Sequence, residues 1–551
     1  MVEAENEKKV KVEPVYTKFT YTFDETDTAK SNYGIKPVIR STINAEERYK
    51  ITWTSIGQIN EELVGKVIKT RARVQKSRKQ GKKMLFLVLR DSSHTAQGVL
   101  FAEEGKISSQ MIDFCSSFPN ESIVDIEATV VKANKPIESC TVSNYELSVS
   151  TVFLVNDCIN VLPFQIEDAS RKLEKGAEDV VEQAPVEDKP KEEDKKEDKK
   201  EKKKKEKEEK KKEKEGKEKA QIAVKSDTRF DNRVLDLRVV STQSMMKLQS
   251  GIGKLFRDYA FKNGFTEIHT PKLIEGASEG GTNVFKLKYF EREACLAQSP
   301  QLYKQMCIIG GLERVIEVAP VFRAENSNTT RHLCEFTMLD LEMSFKEHYF
   351  EIIDVIWDLF VYIFDGLKND YKHELNIIAN QYPFEMIEYP KKPVILSFHE
   401  GVELLKSKGI IQDVNEDLDT VNERKLGEFV KEKYGTDFYF LHKYPKSARP
   451  FYTMRDPEND NFTNSYDAFI RGEEILSGAQ RIHEYDELYK NVVDAGIKPE
   501  TLKNYLDAFK LGAPPHGGCG IGLERIAKLF TGFGNVKRFC MFPRDPKRLA
   551  P

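Results

Sequence analysis

Residues Val318–Glu342 read VAPVFRAENSNTTRHLCEFTMLDLE. An apolar run, Val318–Phe322, breaks into Arg323-Ala-Glu325, turns through Asn326-Ser-Asn-Thr-Thr330 and returns as Phe336-Thr-Met-Leu-Asp340-Leu-Glu342. Two apolar runs around Asn- and Ser-rich turn chemistry predict strand, loop, strand. Charge sets this hairpin apart, because Arg323, Glu325, Arg331, His332, Glu335, Asp340 and Glu342 sit on or beside segments that otherwise read as core. A solvated hairpin of mixed charge is the plain alternative, since charged side chains usually face water. The pattern also suits a fixed surface for a phosphate-bearing ligand. An arginine fork grips phosphate at two points, and carboxylates orient amine groups.

Working outward, the 551 residues predict several domains. Lys and Arg number 86 against 89 Asp and Glu, so the whole chain carries no basic excess, although a local basic face is still allowed. Eight cysteines are scattered without a CxxC pair, which fits a reduced cytoplasmic chain with no disulfide framework or zinc site. The start, Met1-Val-Glu-Ala-Glu-Asn-Glu, has no apolar core and does not read as a signal peptide. The most apolar run, Ile352–Leu367, is interrupted by Asp354, Asp358 and Asp365 and reads as an amphipathic helix rather than a membrane span. Residues 1–45 lack sustained periodicity and are expected to be a mobile extension. Residues 46–160 hold five strand-like segments, Lys66–Gln75, Lys83–Asp91, Thr95–Ala102, Ser122–Lys132 and Tyr145–Val155, with a helix over Lys106–Cys115 between the third and fourth. That is the layout of an OB-fold barrel. Residues 161–227 form a hinge whose stretch Glu187–Lys219 is almost entirely Lys, Glu and Asp and cannot build a core. Residues 228–551 form the larger domain, with helical periodicity over Ser244–Asn263 and Thr420–Tyr434.

Three segments carry a family resemblance. Phe322-Arg323-Ala-Glu325 with Arg331-His332 and Glu335–Glu342 resembles motif 2 of the class II aminoacyl-tRNA synthetases. Gly264-Phe-Thr-Glu-Ile-His-Thr-Pro-Lys-Leu273 resembles motif 1, and Gly520-Ile-Gly522-Leu-Glu524-Arg525 resembles motif 3. Three motifs in the right order are far more specific than any one. Over roughly 50–160 and 228–551 the chain is most similar to subclass IIb, and within it to the cytosolic aspartyl-tRNA synthetases of eukaryotes. The resemblance implies a multidomain α+β protein: a five-stranded OB-fold that binds the anticodon, and a catalytic domain on an antiparallel sheet flanked by helices. It implies ATP-dependent activation of L-aspartate to the adenylate, then transfer to the 3′ end of tRNA(Asp), with Mg2+ as cofactor. It also implies a homodimer through motif 1 and no membrane partner. Membership of a larger synthetase assembly stays open.

The same resemblance implies roles residue by residue. Arg323 would bridge the α-phosphate and the substrate carboxylate, Glu325 would accept from the adenine amine, and Phe336 and Arg525 would sandwich the base. Arg331 and His332 would reach the outer phosphates, Glu474 and Ser477 would hold Mg2+, and Gly520 and Gly522 would let backbone approach the nucleotide. Arg323, Arg525 and Glu474 are the expected catalytic residues. Lys304 and Arg481 would receive the aspartate side-chain carboxylate, with Asp340 holding them and helping, along with Glu279, Ser299 and Gln301, to bind the ammonium. On the barrel, Phe86 would stack on a base, Gln97 and Glu146 would read base edges, and Arg78 would meet phosphate. Two readings compete. Asparaginyl synthetases share all three motifs but commonly have Glu where Lys304 and Asp340 stand, and a non-catalytic tRNA-binding paralogue would usually lose Arg323, Arg525 or Glu474.

The Lys/Glu tract departs from the short hinge of the family. A linker insertion is one reading; the sharper one is that runs such as Lys202–Lys205 and Lys210–Lys212 hold tRNA phosphates without sequence preference. If so, deleting 172–220 lowers tRNA affinity and flattens its dependence on salt. An unchanged salt slope in filter-binding titrations rejects the sharper reading.

Overall fold

The computed structural model describes residues 16–173, 224–275 and 283–551. The lysine-rich tract and the glycine-rich loop containing Glu279 lie outside these described residues. The chain divides into two compact units at Gln165/Ile166.

In the first unit β1 (Tyr33–Ile35), β2 (Val67–Gln80), β3 (Met84–Asp91), β4 (His94–Phe101), β5 (Ile123–Lys132) and β6 (Tyr145–Asn156) run in the order β1-β6-β4-β3-β2-β5, and β5 pairs with β6 to close a five-stranded barrel. Period-two alternation fills it: Leu85, Leu87 and Leu89 of β3 are fully buried, while Phe86 and Val88 between them face outward. A bulge between Val74 and Lys76 carries β2 beyond the expected end at Gln75. Helix α1 (Ser109–Ser116) sits between β4 and β5, capped by the Ser108 side chain, which accepts from Met111 N. The expected mobile leader does not describe residues 19–35. Phe19, Tyr21 and Phe23 alternate, and each packs on Phe114 of α1; Tyr33, in β1, joins the same aromatic cluster, and β1 pairs parallel with β6. Three aromatics at period two were the available signal.

In the second unit short strands β7 (Thr266–Glu267), β8 (Leu273–Ile274), β9 (Lys286–Tyr289) and β10 (Arg292–Leu296) precede β11 (Arg314–Phe322), β12 (Glu335–Ser344), β13 (Ile395–Ser397), β14 (Phe438–His442), β15 (Ser465–Ile470), β16 (Glu473–Gln480) and β17 (His516–Gly522). The main sheet runs β13-β14-β15-β16-β17-β12-β11-β7. Its six inner strands are antiparallel, as expected, but both outermost pairings, β13–β14 and β11–β7, are parallel, so the sheet is mixed. Helices α2 (Val240–Lys262), α3 (Gln301–Cys307), α4 (Phe350–Asp370), α5 (Lys372–Gln381), α6 (Thr420–Tyr434) and α7 (Leu523–Phe530) flank it. Helix α4 buries Ile352, Ile356, Trp357, Phe360, Ile363 and Phe364 on one stripe and leaves Asp354, Asp358 and Asp365 exposed. Trp357 stacks on Phe438 at 4.8 Å between ring centres. No described helix is long and apolar enough to cross a membrane.

The alternation along β12 organises everything above it. Leu339, Leu341 and Met343 belong to the core under the sheet with α2, α4 and α7, so Met338, Asp340 and Glu342 must face the other way. Opposite them β17 offers Gly518 against Glu342 and Gly520 against Asp340. A Cβ on Gly518 would lie 2.0 Å from Leu341 O and 2.7 Å from Glu342 Cα, contacts with backbone that cannot yield. Gly518→Ala is therefore expected to destabilise by about 1–3 kcal/mol through overpacking, read as a lower urea midpoint at unchanged slope. An unaltered midpoint contradicts the close approach.

Candidate active site

The tip of the β11–β12 hairpin and the start of α7 enclose one cavity. Arg323, Glu325, Arg331, His332, Phe336, Glu474, Gly520, Gly522 and Arg525 all line it, so the residues expected at the nucleotide converge in space. The Arg323 guanidinium lies 5.6 Å from the centre of the Phe336 ring. Arg525 donates to Glu474 O at 2.8 Å and stands 3.9 Å from the Glu474 carboxylate. Thr329 Oγ1 and His332 Nδ1 are 2.6 Å apart, and His332 Nε2 is 3.9 Å from Glu325. Burial lowers the His332 pKa, and Arg525, Arg331 and Arg323 reinforce this against the pull of Glu325. The ring is thus held neutral, a hydrogen-bonding group rather than a cation at neutral pH.

A second cavity adjoins the first and shares Arg323, Met338, Glu474 and Gly520 with it. Its wall also includes Ser299, Gln301, Asp340, Ser477, Arg449 and Arg481. Lys304 does not line the cavity. It is 2 % exposed, with Nζ 3.0 Å from Asp340 Oδ1 and 3.2 Å from both Glu342 Oε2 and the Cys519 carbonyl. Arg481 grips both oxygens of Glu342 at 2.9 and 3.1 Å and donates to Gly518 O at 2.9 Å. The two cations expected to await a substrate carboxylate are thus already balanced by two carboxylates. Although burial alone would raise it, Glu342 is held below the ordinary glutamate range by Arg481 and Lys304. Burial alone would discharge Lys304, but Asp340 and Glu342 keep it charged. Glu342 stood in the quoted motif without a role; its partners come from α3, β17 and the end of β16, which no local pattern connects.

The insertion over about 345–450, to which the sequence assigned no chemistry, supplies three more side chains. From α6, Thr420 accepts from Arg331 Nη2 at 2.6 Å and Glu423 stands 3.5 Å from Nη1. The buried Arg449 side chain donates to Ser477 Oγ and Asp467 Oδ2, both at 2.6 Å, and lies 3.9 Å from the Tyr444 ring centre. Glu474 is pushed up to about 7 by burial and then by the charge of Asp467. This donor set, a carboxylate beside a hydroxyl, offers the hard oxygens that Mg2+ takes. No cluster of three acidic, His or Cys side chains forms a closed protein cage among the described residues, so a metal here would need oxygens from substrate.

In the barrel unit the four expected residues share the outer face of the sheet. Arg78 and Phe86 are directly paired across β2 and β3, with the guanidinium 5.1 Å from the ring centre. Gln97 and Glu146 are paired across β4 and β6, and Gln97 Nε2 donates to Glu146 at 3.0 Å. Phe86 is half-buried beside that pair and is not a core residue.

Glu524, at the start of α7, accepts from Thr337 N at 3.2 Å and from Gln249 at 3.2 Å. Burial nonetheless pushes its pKa up to about 7 from 4.5. The folded state therefore binds a proton that the unfolded state has released between these values, and stability falls as pH rises across that window, by roughly 3 kcal/mol once ionised. Glu524→Gln keeps an acceptor without charge. Its urea midpoint should hold from pH 5 to 8 relative to the parent, whose midpoint declines. Parallel pH profiles for the two proteins count against this assignment.

Comparison with known proteins agrees with this geometry. Residues 225–546 match the model for class II tRNA synthetases (D, K and N), and residues 63–155 match an OB-fold nucleic-acid-binding domain. The chain is 44% identical to the cytoplasmic aspartate–tRNA ligase of Mus musculus, over 95% of this chain and 96% of that protein. It is similar in structure to the aspartyl-tRNA synthetase of Entamoeba histolytica, with a TM-score of 0.80 and 39% identity over 98% of this chain and 100% of that one. An asparaginyl-tRNA synthetase of Pyrococcus horikoshii, solved with asparaginyl-adenylate, gives 0.71 and 27% over 91% and 100%. With its motifs converging on one pair of cavities and such relatives along nearly its whole length, the chain belongs to the class II aminoacyl-tRNA synthetases, in the aspartate–tRNA ligase family.

Proposed function

We infer that the protein is an aspartate–tRNA ligase in which the two adjoining cavities hold ATP and L-aspartate. The position of Arg323 in the wall common to both cavities supports this best. In the first step an oxygen of the aspartate α-carboxylate attacks the α-phosphorus, and the bond to pyrophosphate breaks. Two anions must approach each other, and a planar guanidinium shared between them removes much of that repulsion. Phe336 and Arg525 sandwich the adenine, and Glu325 accepts from its amine. Neutral His332 offers a hydrogen bond to the outer phosphates, and Arg331 reaches them by leaving Thr420 and Glu423. Glu474 and Ser477 would hold Mg2+, which supplies charge neutralisation at the phosphates. In the second step the terminal 3′-hydroxyl of tRNA attacks the activated carbonyl and AMP leaves. No covalent enzyme intermediate is required; the residues act by positioning and by fixed charge.

Selectivity follows from the quartet of Lys304, Arg481, Asp340 and Glu342. The side-chain carboxylate of aspartate meets Arg481 on the cavity wall, with Lys304 behind Asp340. An amide cannot match that charge. Asparaginyl enzymes commonly have Glu where Lys304 and Asp340 stand, which would remove one of the two cations that balance Glu342. The non-catalytic reading is disfavoured because Arg323, Arg525 and Glu474 converge on one cavity. The barrel face of Arg78, Phe86, Gln97 and Glu146 takes the anticodon, with stacking for affinity and the polar pair for discrimination. A homodimer through motif 1 and a cytoplasmic setting complete the reading.

Pyrophosphate exchange with aspartate, with asparagine and with neither is the direct test. Exchange should require aspartate, and its absence would end the assignment. Lys304→Glu should lower aspartate-dependent exchange by about a hundredfold or more, the scale of a broken buried ion pair, with circular dichroism reporting that the fold is kept. A near-normal rate in the folded variant rejects the role of Lys304.

A further inference from the structure

Behind the amino-acid cavity lies a chain of buried polar side chains that the proposed chemistry does not use. Gln301 opens α3 and lines the cavity; Gln305 is one turn further along the same helix. Gln301 Nε2 donates to Gln305 Oε1 at 2.9 Å, and the Tyr505 hydroxyl donates to the same oxygen at 3.0 Å. Gln305 Nε2 lies 3.0 Å from His516 Nε2, and His516 Nδ1 is 2.8 Å from the Pro514 carbonyl. Gln305 and His516 are fully buried, and Gln301 and Tyr505 nearly so.

We propose that Pro514, His516 and Gln305 form a directed hydrogen-bond relay that fixes the amide of Gln301 with its oxygen toward the cavity, and so tunes the cavity for the substrate ammonium. The direction follows from the Pro514 end. A backbone carbonyl only accepts, so His516 Nδ1 must carry the proton. In the neutral ring Nε2 is then an acceptor, and Gln305 must present its NH2 to it. That leaves Gln305 Oε1 facing Gln301, which must in turn present its own NH2. Only the oxygen of Gln301 remains for the cavity, and an ammonium, which only donates, requires an acceptor there. A doubly protonated His516 would reverse each member and turn the Gln301 NH2 toward the ammonium. Burial prevents this, pushing His516 down to about 4 despite the opposing pull of Glu342, with Arg481 and His483 adding to the effect. Gln305 and His516 are thus positioning residues, acting on substrate through Gln301.

The inference rests on the aspartate reading, and its test separates the two. Aspartate-dependent pyrophosphate exchange is measured with succinate, which lacks the ammonium, as competitor. In His516→Gln the partner of Gln305 can present either end of its amide, and in Gln305→Met the relay is interrupted by an apolar side chain of similar length. Both should raise KM for aspartate by about tenfold, the scale of a hydrogen bond to a charged group, while Ki for succinate and KM for ATP stay near the parent values. Tyr505→Phe removes only the second donor to Gln305 and leaves the direction intact, so its ratio of succinate Ki to aspartate KM should match the parent. If aspartate and succinate weaken in parallel, or the ratio is unchanged in the variants, the relay is rejected. If His516→Gln and Gln305→Met both fail to fold, a changed ratio in Tyr505→Phe rejects it as well, and a parent-like ratio supports it. Lack of exchange in the parent protein instead removes the aspartate reading itself.

Discussion

Four buried charges packed between β12, β16, β17 and α3 are the constraint on which the catalytic unit depends. Lys304, Arg481, Asp340 and Glu342 are each at most 4 % exposed. Bringing such groups out of water costs several kcal/mol apiece, and only close mutual pairing offsets it. The geometry supplies that pairing through two short contacts from Lys304 and a two-point grip by Arg481. It is available only because β17 has no side chain at Gly518, where the Glu342 carboxylate and the Leu341 carbonyl occupy the space a Cβ would need. Gly518 therefore serves the packing of the charged layer. A site already neutral on its own differs from a bare cationic pocket. Of the four, Arg481 and Asp340 also line the cavity, while Lys304 is reached only through its partners.

The segment inserted between motifs 2 and 3 completes that layer. It carries its own core, built around Phe398, Leu405, Leu426, Tyr439 and Tyr444, and from it polar side chains reach Arg331 and Ser477. Glu423 beside Arg331 is pushed up to about 8 by burial and by the nearby Glu474. At neutral pH it is largely protonated, so it holds Arg331 loosely compared with a fully charged carboxylate. Arg449, by contrast, is locked between Ser477, Asp467 and the Tyr444 ring.

The two faces of the barrel differ in chemistry. Its interior is saturated with leucine, isoleucine and valine, and the outer face beside Gln97 and Glu146 keeps a half-buried phenylalanine that contributes little to that interior. Such a ring at a polar surface is the kind of platform on which nucleobases stack, and the Arg78 guanidinium lies 5.1 Å from its centre.

Local chemistry alone settled a large share of this protein. Period-two alternation and the turn residues after Phe322 determined the β11–β12 hairpin, the apolar stripe of Ile352–Leu367 determined helix α4, and the strand spacing over 66–155 determined the barrel. Arg323, Glu325 and Phe336 in one short motif and Arg525 in another were legible because each motif is a single local segment that resembles a known family. What the chain order could not express was decided by tertiary structure. Lys304 meets Glu342, Arg449 meets Ser477, Thr420 meets Arg331 and Gln305 meets His516 only when strands and helices far apart in the chain are laid side by side. Whether Lys304 waits for substrate or is already paired depends on those distances, because the Coulomb energy of a buried charge is set by its neighbours in space and not by its neighbours in the chain.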